Sequence, residues 1–248
     1  MILCVDSGNS RIKWGLHADG AWRENGVIDH ADVAQLAALP QRLPMPACVM
    51  LANVAGEAAG MEIRQALAPW LPVLREVEST AAAGGVTNLY ENPARLGVDR
   101  WCALIGARAI TNAPCVVVMA GTATTVDTLD GDGRFLGGLI LPGLDLMRRS
   151  LARDTAALPL AAGKYSVHPR CTDDAITSGC IEAQAGAIER ACARLGNSAL
   201  CLLSGGAAGT IGEHLAVPHR PVANLVLEGL LWLAVSDQAP HAAGKNSG

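Results

Sequence analysis

Residues 2–16, ILCVDSGNSRIKWGL, and residues 115–129, CVVVMAGTATTVDTL, share one plan. Each opens on an apolar run that suits a buried strand, bends through small polar residues and resumes as a second strand. The first bend is Asp6-Ser7-Gly8-Asn9-Ser10 and the second is Ala120-Gly121-Thr122. Gly and Asn tolerate the backbone of tight turns, so either stretch alone predicts no more than a β-hairpin. A strand-end carboxylate followed by closely spaced backbone N–H groups can also hold a phosphate oxygen. The repetition carries weight: two such turns facing each other across a cleft would clamp the phosphate tail of a nucleotide.

Outward from these hairpins, helical and extended stretches alternate, as in an α/β protein. Residues 31–39 read as a helix broken by the prolines of QRLPMP, 47–54 as a buried strand and 56–70 as a helix ending at Pro69. Asn92-Pro93 is a candidate helix start, with Gly97 placing an alternative start near Val98, and the helix runs to about residue 111. Helices are predicted at 143–152, about 173–194 and 222–236, with a strand at ALCLLSGG, 199–206. A length of 248 residues suits two domains, placed at 1–112 and 113–236, with a disordered tail at 237–248.

Composition narrows the function classes. Half the residues are hydrophobic and only 3% aromatic, which excludes a disordered or fibrous chain. No uncharged apolar run is long enough for a membrane span. The opening MILCVDSGNS lacks a basic start and apolar core, so a cytoplasmic location is expected. The eight cysteines form no C-x-x-C pair and are expected to be buried thiols, not zinc ligands. A net charge of −4 without a basic block gives no sign of a nucleic-acid or membrane partner and leaves a small polar ligand.

Two further stretches could carry chemistry. Leu203-Ser204-Gly205-Gly206-Ala207-Ala208 follows a strand, and its bare glycines could admit an adenine ring or ribose, or simply form a strand-to-helix turn. In Tyr90 to Trp101, YENPARLGVDRW, Asp99 stands near a helix start, where the dipole favours an ionised carboxylate suited to a base or cation ligand. The plainer alternative is an acidic residue that only stabilises the helix, with Arg100 as a solvated neighbour. Tyr165, His168 and Arg170 sit in a polar loop that could close over substrate or remain solvated.

Taken in order, Asp6-x-Gly-Asn-Ser-x-x-Lys13, Gly97-x-Asp99-Arg100 and Gly121-Thr122-Ala123-x-Thr125, with Tyr90, Thr172 and Gly205-Gly206, resemble the motifs of type III pantothenate kinases over nearly the whole chain. The resemblance implies an α/β, two-domain actin-like (ribonuclease H-like) ATPase fold, each domain a mixed central sheet flanked by helices. It implies ATP as donor with Mg²⁺ or another divalent cation, pantothenate as acceptor, and a homodimer with the substrate site near the subunit interface. Carried onto this chain, Asp6, Ser7, Gly8, Asn9, Ser10, Arg11, Ile12 and Lys13 would hold ATP phosphates, with Asp6 organising the metal through water. Thr122 would contact the phosphates from the opposite side, and Gly205 and Gly206 would lie by the adenosine. Tyr90, Gly97, Val98, Asp99, Arg100 and Thr172 would line the pantothenate pocket, with Asp99 the catalytic base.

One position departs from that pattern. Met119 stands where relatives resemble one another in carrying an aspartate for a monovalent cation, K⁺ or NH₄⁺, and a thioether is a poor ligand for a hard cation. The expectation is that the protein needs no such ion, or that another oxygen ligand or a basic group replaces it. The alternative functions are a kinase of another small hydroxylated acid and a nucleotide-binding regulatory paralogue with little turnover, resembling the Bvg accessory factor subgroup.

Overall fold

The computed structural model describes residues 1–160, 162–196 and 199–236, so the tail expected at 237–248 lies outside the described residues. The first hairpin is β1 (Ile2–Ser7) and β2 (Arg11–Ala18), extended by β3 (Ala21–Asp29). A 3₁₀ stretch, His30–Ala37, and the short α1 (Ala38–Arg42) replace the helix expected over 31–39. Helical structure continues through Pro40 because that proline lies in the first turn of α1, where its missing N–H has no intrahelical acceptor to lose. β4 (Cys48–Asn53), α2 (Glu57–Ala66) and β5 (Leu74–Glu76) complete the first sheet.

β6 (Ala82–Ala83) and β7 (Val86–Asn88) precede α3 (Val98–Ile110). Asn92 caps only a 3₁₀ turn, Pro93–Arg95, by accepting from the Ala94 N–H at 3.2 Å, and α3 starts behind Gly97. The second hairpin is β8 (Cys115–Ala120) and β9 (Ala123–Leu129), followed by β10 (Arg134–Pro142), α4 (Leu144–Asp154) and α5 (Thr172–Leu195). The chain continues as β11 (Leu200–Ser204), α6 (Ala208–Gly212), β12 (His219–Pro221) and α7 (Leu225–Ser236).

Two mixed sheets form among the described residues, in the orders β3-β2-β1-β4-β5 and β12-β11-β8-β9-β10-β7-β6. The topology is duplicated. β3, β2 and β1 are antiparallel and β4 and β5 run parallel to β1; β10, β9 and β8 are antiparallel and β11 and β12 run parallel to β8. The second sheet adds β7, parallel to β10, and β6.

Strand alternation sorts neighbouring side chains into different cores. Cys4 and Val117 join α3 and α7 in a central core between the sheets, with Trp101, Leu104, Ile105, Leu225 and Leu230. Leu3 and Val5 face a core with Leu36, Ile63 and Leu67, while Val116 and Val118 face one with Ile181, Ile188 and Ile211. β1 and β8 are thus covered on both faces, which is why each reads as an unbroken apolar run. Wedged between the sheets, α3 brings its N-terminus, and Asp99, near Asp6 at the end of β1.

Candidate active site

The site begins with β1. Its alternation places Asp6 on the same face as Cys4, toward α3, and leaves it 5% exposed at the strand end opposite Lys13. Burial pushes the Asp6 carboxyl up to about 6; Lys13 pulls it down and the nearby Asp99 pushes it further up. Two carboxylates therefore sense each other where β1 meets α3. Beyond Asp6, the Gly8 N–H donates to Arg11 O at 3.1 Å and closes the turn, and His30 Nε2 lies 2.7 Å from Gly8 O.

The second turn is built from backbone. The Gly121 N–H donates to Ala123 O at 3.0 Å, and Thr122 O accepts from the Gly143 N–H at 2.9 Å, just ahead of α4. Ser10 Oγ and Thr122 Oγ1 are 2.7 Å apart, so the two hairpins, 112 residues apart in sequence, touch through their hydroxyls. β11 lies beside β8, with Ser204 opposite Met119, and delivers Gly205 and Gly206 to the base of this turn. Gly205 has φ +107°, and a Cβ there would stand 2.3 Å from Ala120 O, so a side chain is excluded. A Cβ at Gly206 would meet nothing within 4 Å, leaving an open backbone face beside the second hairpin.

On α3, Asp99 lies in the first turn, and its Oδ1 accepts from the Arg100 N–H at 2.8 Å. Arg100 is not a solvated neighbour. It is 5% exposed and reaches β9, donating from Nε and Nη2 to the two oxygens of Asp127 at 3.1 and 2.5 Å, and from Nη1 to the Tyr90 hydroxyl at 2.9 Å. Its guanidinium also lies 5.6 Å from the Tyr90 ring centroid and 5.7 Å from that of Phe135. Burial alone would disfavour the charge on Arg100, but the Asp127 and Tyr90 contacts override it and hold its pKa above the ordinary value. Burial pushes the Asp127 carboxyl up, and the guanidinium hydrogen bonds and charge of Arg100 oppose that rise without cancelling it.

Tyr90, Gly97, Val98, Asp99 and Arg100 thus lie together at one end of α3. Thr172 does not line the same space. It opens α5 and borders a cavity of about 590 Å³ with Pro142, Met147, Leu151, Leu158 and Ile176, and none of the residues at the start of α3 lines it. The polar loop before it is strapped down: Tyr165 donates to Glu182 at 2.6 Å and lies against His214, ring centroids 3.8 Å apart. Met119 is half-buried against the central core.

Asp127 and His30 were missed in the sequence. Asp127 left a signal, a lone acid at an inward position of the strand ATTVDTL, where a buried carboxylate demands a partner. His30 left none, because its contact is 22 residues away.

Among the described residues no group of three or more His, Cys, Asp or Glu side chains could hold a metal ion. The buried strand-end carboxylate of Asp6, with Asp99 near it, nevertheless fits Mg²⁺, which is carried mostly by water and substrate phosphates.

The comparisons with known proteins speak to the family and the fold. The family model described as type III pantothenate kinase matches residues 2–194. The type III pantothenate kinase of Dechloromonas aromatica is 59% identical over 236 residues, covering 95% of this chain and 99% of that protein. Among solved structures, a protein described as a Baf family transcriptional activator from Campylobacter jejuni superposes with TM-score 0.65 at 18% identity, covering 95% of this chain and 98% of that one. MreB5 of Spiroplasma citri, bound to ADP, gives TM-score 0.53 at 10% identity, with 98% of each chain covered. At those identities the two structures speak for the actin-like fold alone.

Proposed function

This chain belongs to the type III pantothenate kinase family, and from that premise we propose how its own residues carry the ATP-dependent phosphorylation of pantothenate, the first step of coenzyme A biosynthesis. The observation that supports the assignment of residues is the meeting of Ser10 and Thr122 at 2.7 Å, which sets two phosphate-holding turns face to face beside Asp6 and Asp99.

Phosphoryl transfer asks little covalent chemistry of a protein; it asks for alignment and for charge neutralisation. The turn from Ser7 to Ile12, closed by the Gly8 N–H on Arg11 O, and the Lys13 ammonium receive the phosphate oxygens from one side, and the Thr122 hydroxyl receives them from the other. Asp6 would hold the divalent ion through water, and that ion would neutralise charge on the phosphates. Gly205 and Gly206 present the open backbone face for the adenosine. Tyr90, Gly97, Val98 and Arg100 shape the pantothenate pocket, and Asp99 takes the proton of the attacking hydroxyl.

The two domains are placed at 1–112 and 113–236, the first lending β6 and β7 to the second sheet. All eight cysteines are free, which accords with a reducing compartment, the cytoplasm. Exposed Leu139 and Ile140 on β10, and the cavity beside Thr172, support a homodimer in which Thr172 serves a pocket at the subunit interface. Met119 does not fit a monovalent cation, and turnover is proposed to need none.

The test is coupled ADP release with and without pantothenate on the wild type and on Asp99→Asn. The expected loss in kcat is about 10²- to 10⁴-fold, the usual contribution of a positioned base, with ATP binding retained. Full turnover by Asp99→Asn would remove Asp99 from the role of base.

A further inference from the structure

The first turn has a brace that its own residues do not supply. His30, the first residue after β3, places Nε2 2.7 Å from Gly8 O. A carbonyl oxygen only accepts, so Nε2 carries the proton and donates. Every peptide bond in the described residues is trans, and in a trans peptide the C=O of one residue and the N–H of the next point in opposite directions. Holding Gly8 O toward His30 therefore aims the Asn9 N–H away from His30. That N–H has no hydrogen-bond partner among the described residues. The next residue, Ser10, touches Thr122, so the turn's tip borders the cleft between the hairpins.

The brace matters because Gly8 and Asn9 are the two residue types that most readily tolerate a flipped peptide. Without a fixed acceptor direction the turn could present a carbonyl where a phosphate requires an N–H. The neighbouring Arg11–Asp29 ion pair cannot do this. At 3.5 Å, with side chains 66% and 68% exposed, it contributes little.

We propose that His30 is a positioning residue for ATP: it holds the Gly8 carbonyl outward so that the Asn9 N–H faces the phosphate chain. This rests on the assignment of the Asp6–Lys13 turn to the phosphates. His30 touches neither substrate, and its effect is confined to the phosphate end of the nucleotide.

The experiment compares the wild type with His30→Leu, His30→Gln and Lys13→Met, measuring KM for ATP, KM for pantothenate, adenosine binding and thermal midpoint. His30→Leu should raise KM for ATP about fivefold, the value of one hydrogen bond, and leave KM for pantothenate and adenosine binding unchanged. His30→Gln, which keeps a side-chain N–H donor, should recover most of the loss. An unchanged KM for ATP in His30→Leu, with Lys13→Met impaired, would overturn the role of His30 alone. Unchanged values in both variants would overturn the phosphate assignment with it. Parallel losses in both substrates and in thermal midpoint, with no rescue by Gln, would reduce His30 to a structural residue.

Discussion

The two hairpins have the same backbone plan and opposite electrostatics. The first carries its charges at the bend: Asp6 buried at the strand end, Lys13 opposite it and Arg11 beside it. The second has no ionisable side chain at its bend, where Met119, Gly121 and Thr122 stand, and keeps its one carboxylate, Asp127, deeper in β9 and neutralised by Arg100. One hairpin is suited to organising a metal ion, the other to offering hydroxyl and backbone donors. A duplicated fold can thus differentiate its halves without changing their geometry, because the turn fixes the N–H groups and the side chains at the strand ends choose the charge.

The largest expected effect comes from removing the charge of the first hairpin. Asp6→Asn should lower kcat/KM for Mg·ATP by about 10²- to 10³-fold, the scale seen when one electrostatic element of a transition-state site is lost. The same variant should be more stable than the wild type at pH 7. The Asp6 carboxyl is raised to about 6 in the folded protein, so between pH about 4 and 6 the folded state holds the proton more tightly than the unfolded chain. Stability therefore falls as pH rises through that window, and Asp6→Asn escapes a penalty of about 3 kcal/mol. Denaturant titrations at pH 7 and pH 4 check this: the gap between variant and wild type should be present at pH 7 and closed at pH 4.

Next in size is the second hairpin's hidden charge. Asp127→Ala leaves Arg100 buried without its partner and should cost about 3–5 kcal/mol of stability, measurable as a drop in urea midpoint. KM for pantothenate should rise with it, because Arg100 and Tyr90 lose the anchor that sets them. A stable variant with unaltered kinetics would mean that the pair positions nothing.

The smallest effect sharpens the contrast directly. Met119→Asp returns a carboxylate to the second hairpin, and turnover by this variant should rise saturably with potassium while sodium does little. The wild type should respond to neither. A wild type that depends steeply on potassium would show that another oxygen donor fills the role.

Both hairpins, the long helices and the small-residue turns were legible because their signals are local: an apolar run, a bend and a resumed run need no distant partner. The start of α3 was legible only as a choice between Asn92 and Val98, and both residues turned out to begin something, a 3₁₀ turn and the helix proper. The short strands at 82–83, 86–88 and 219–221 were not legible, since two or three residues carry no periodicity and exist only through pairing with a sheet already formed. Thr172 was placed with the pantothenate residues by resemblance, yet within one chain it borders a different cavity.

By itself the sequence determined the two strand–turn–strand units, the acidic helix start and the identity of the groups available for chemistry. Tertiary structure alone decided which of them meet. It set Ser10 against Thr122, Arg100 against Asp127, Gly205 against Ala120 and His30 against Gly8. The reason is physical: backbone preferences and apolar patterns act over a few residues, whereas the His30–Gly8 and Gly205–Ala120 contacts need a completed sheet, and the Ser10–Thr122 and Arg100–Asp127 contacts need the sheets packed around α3.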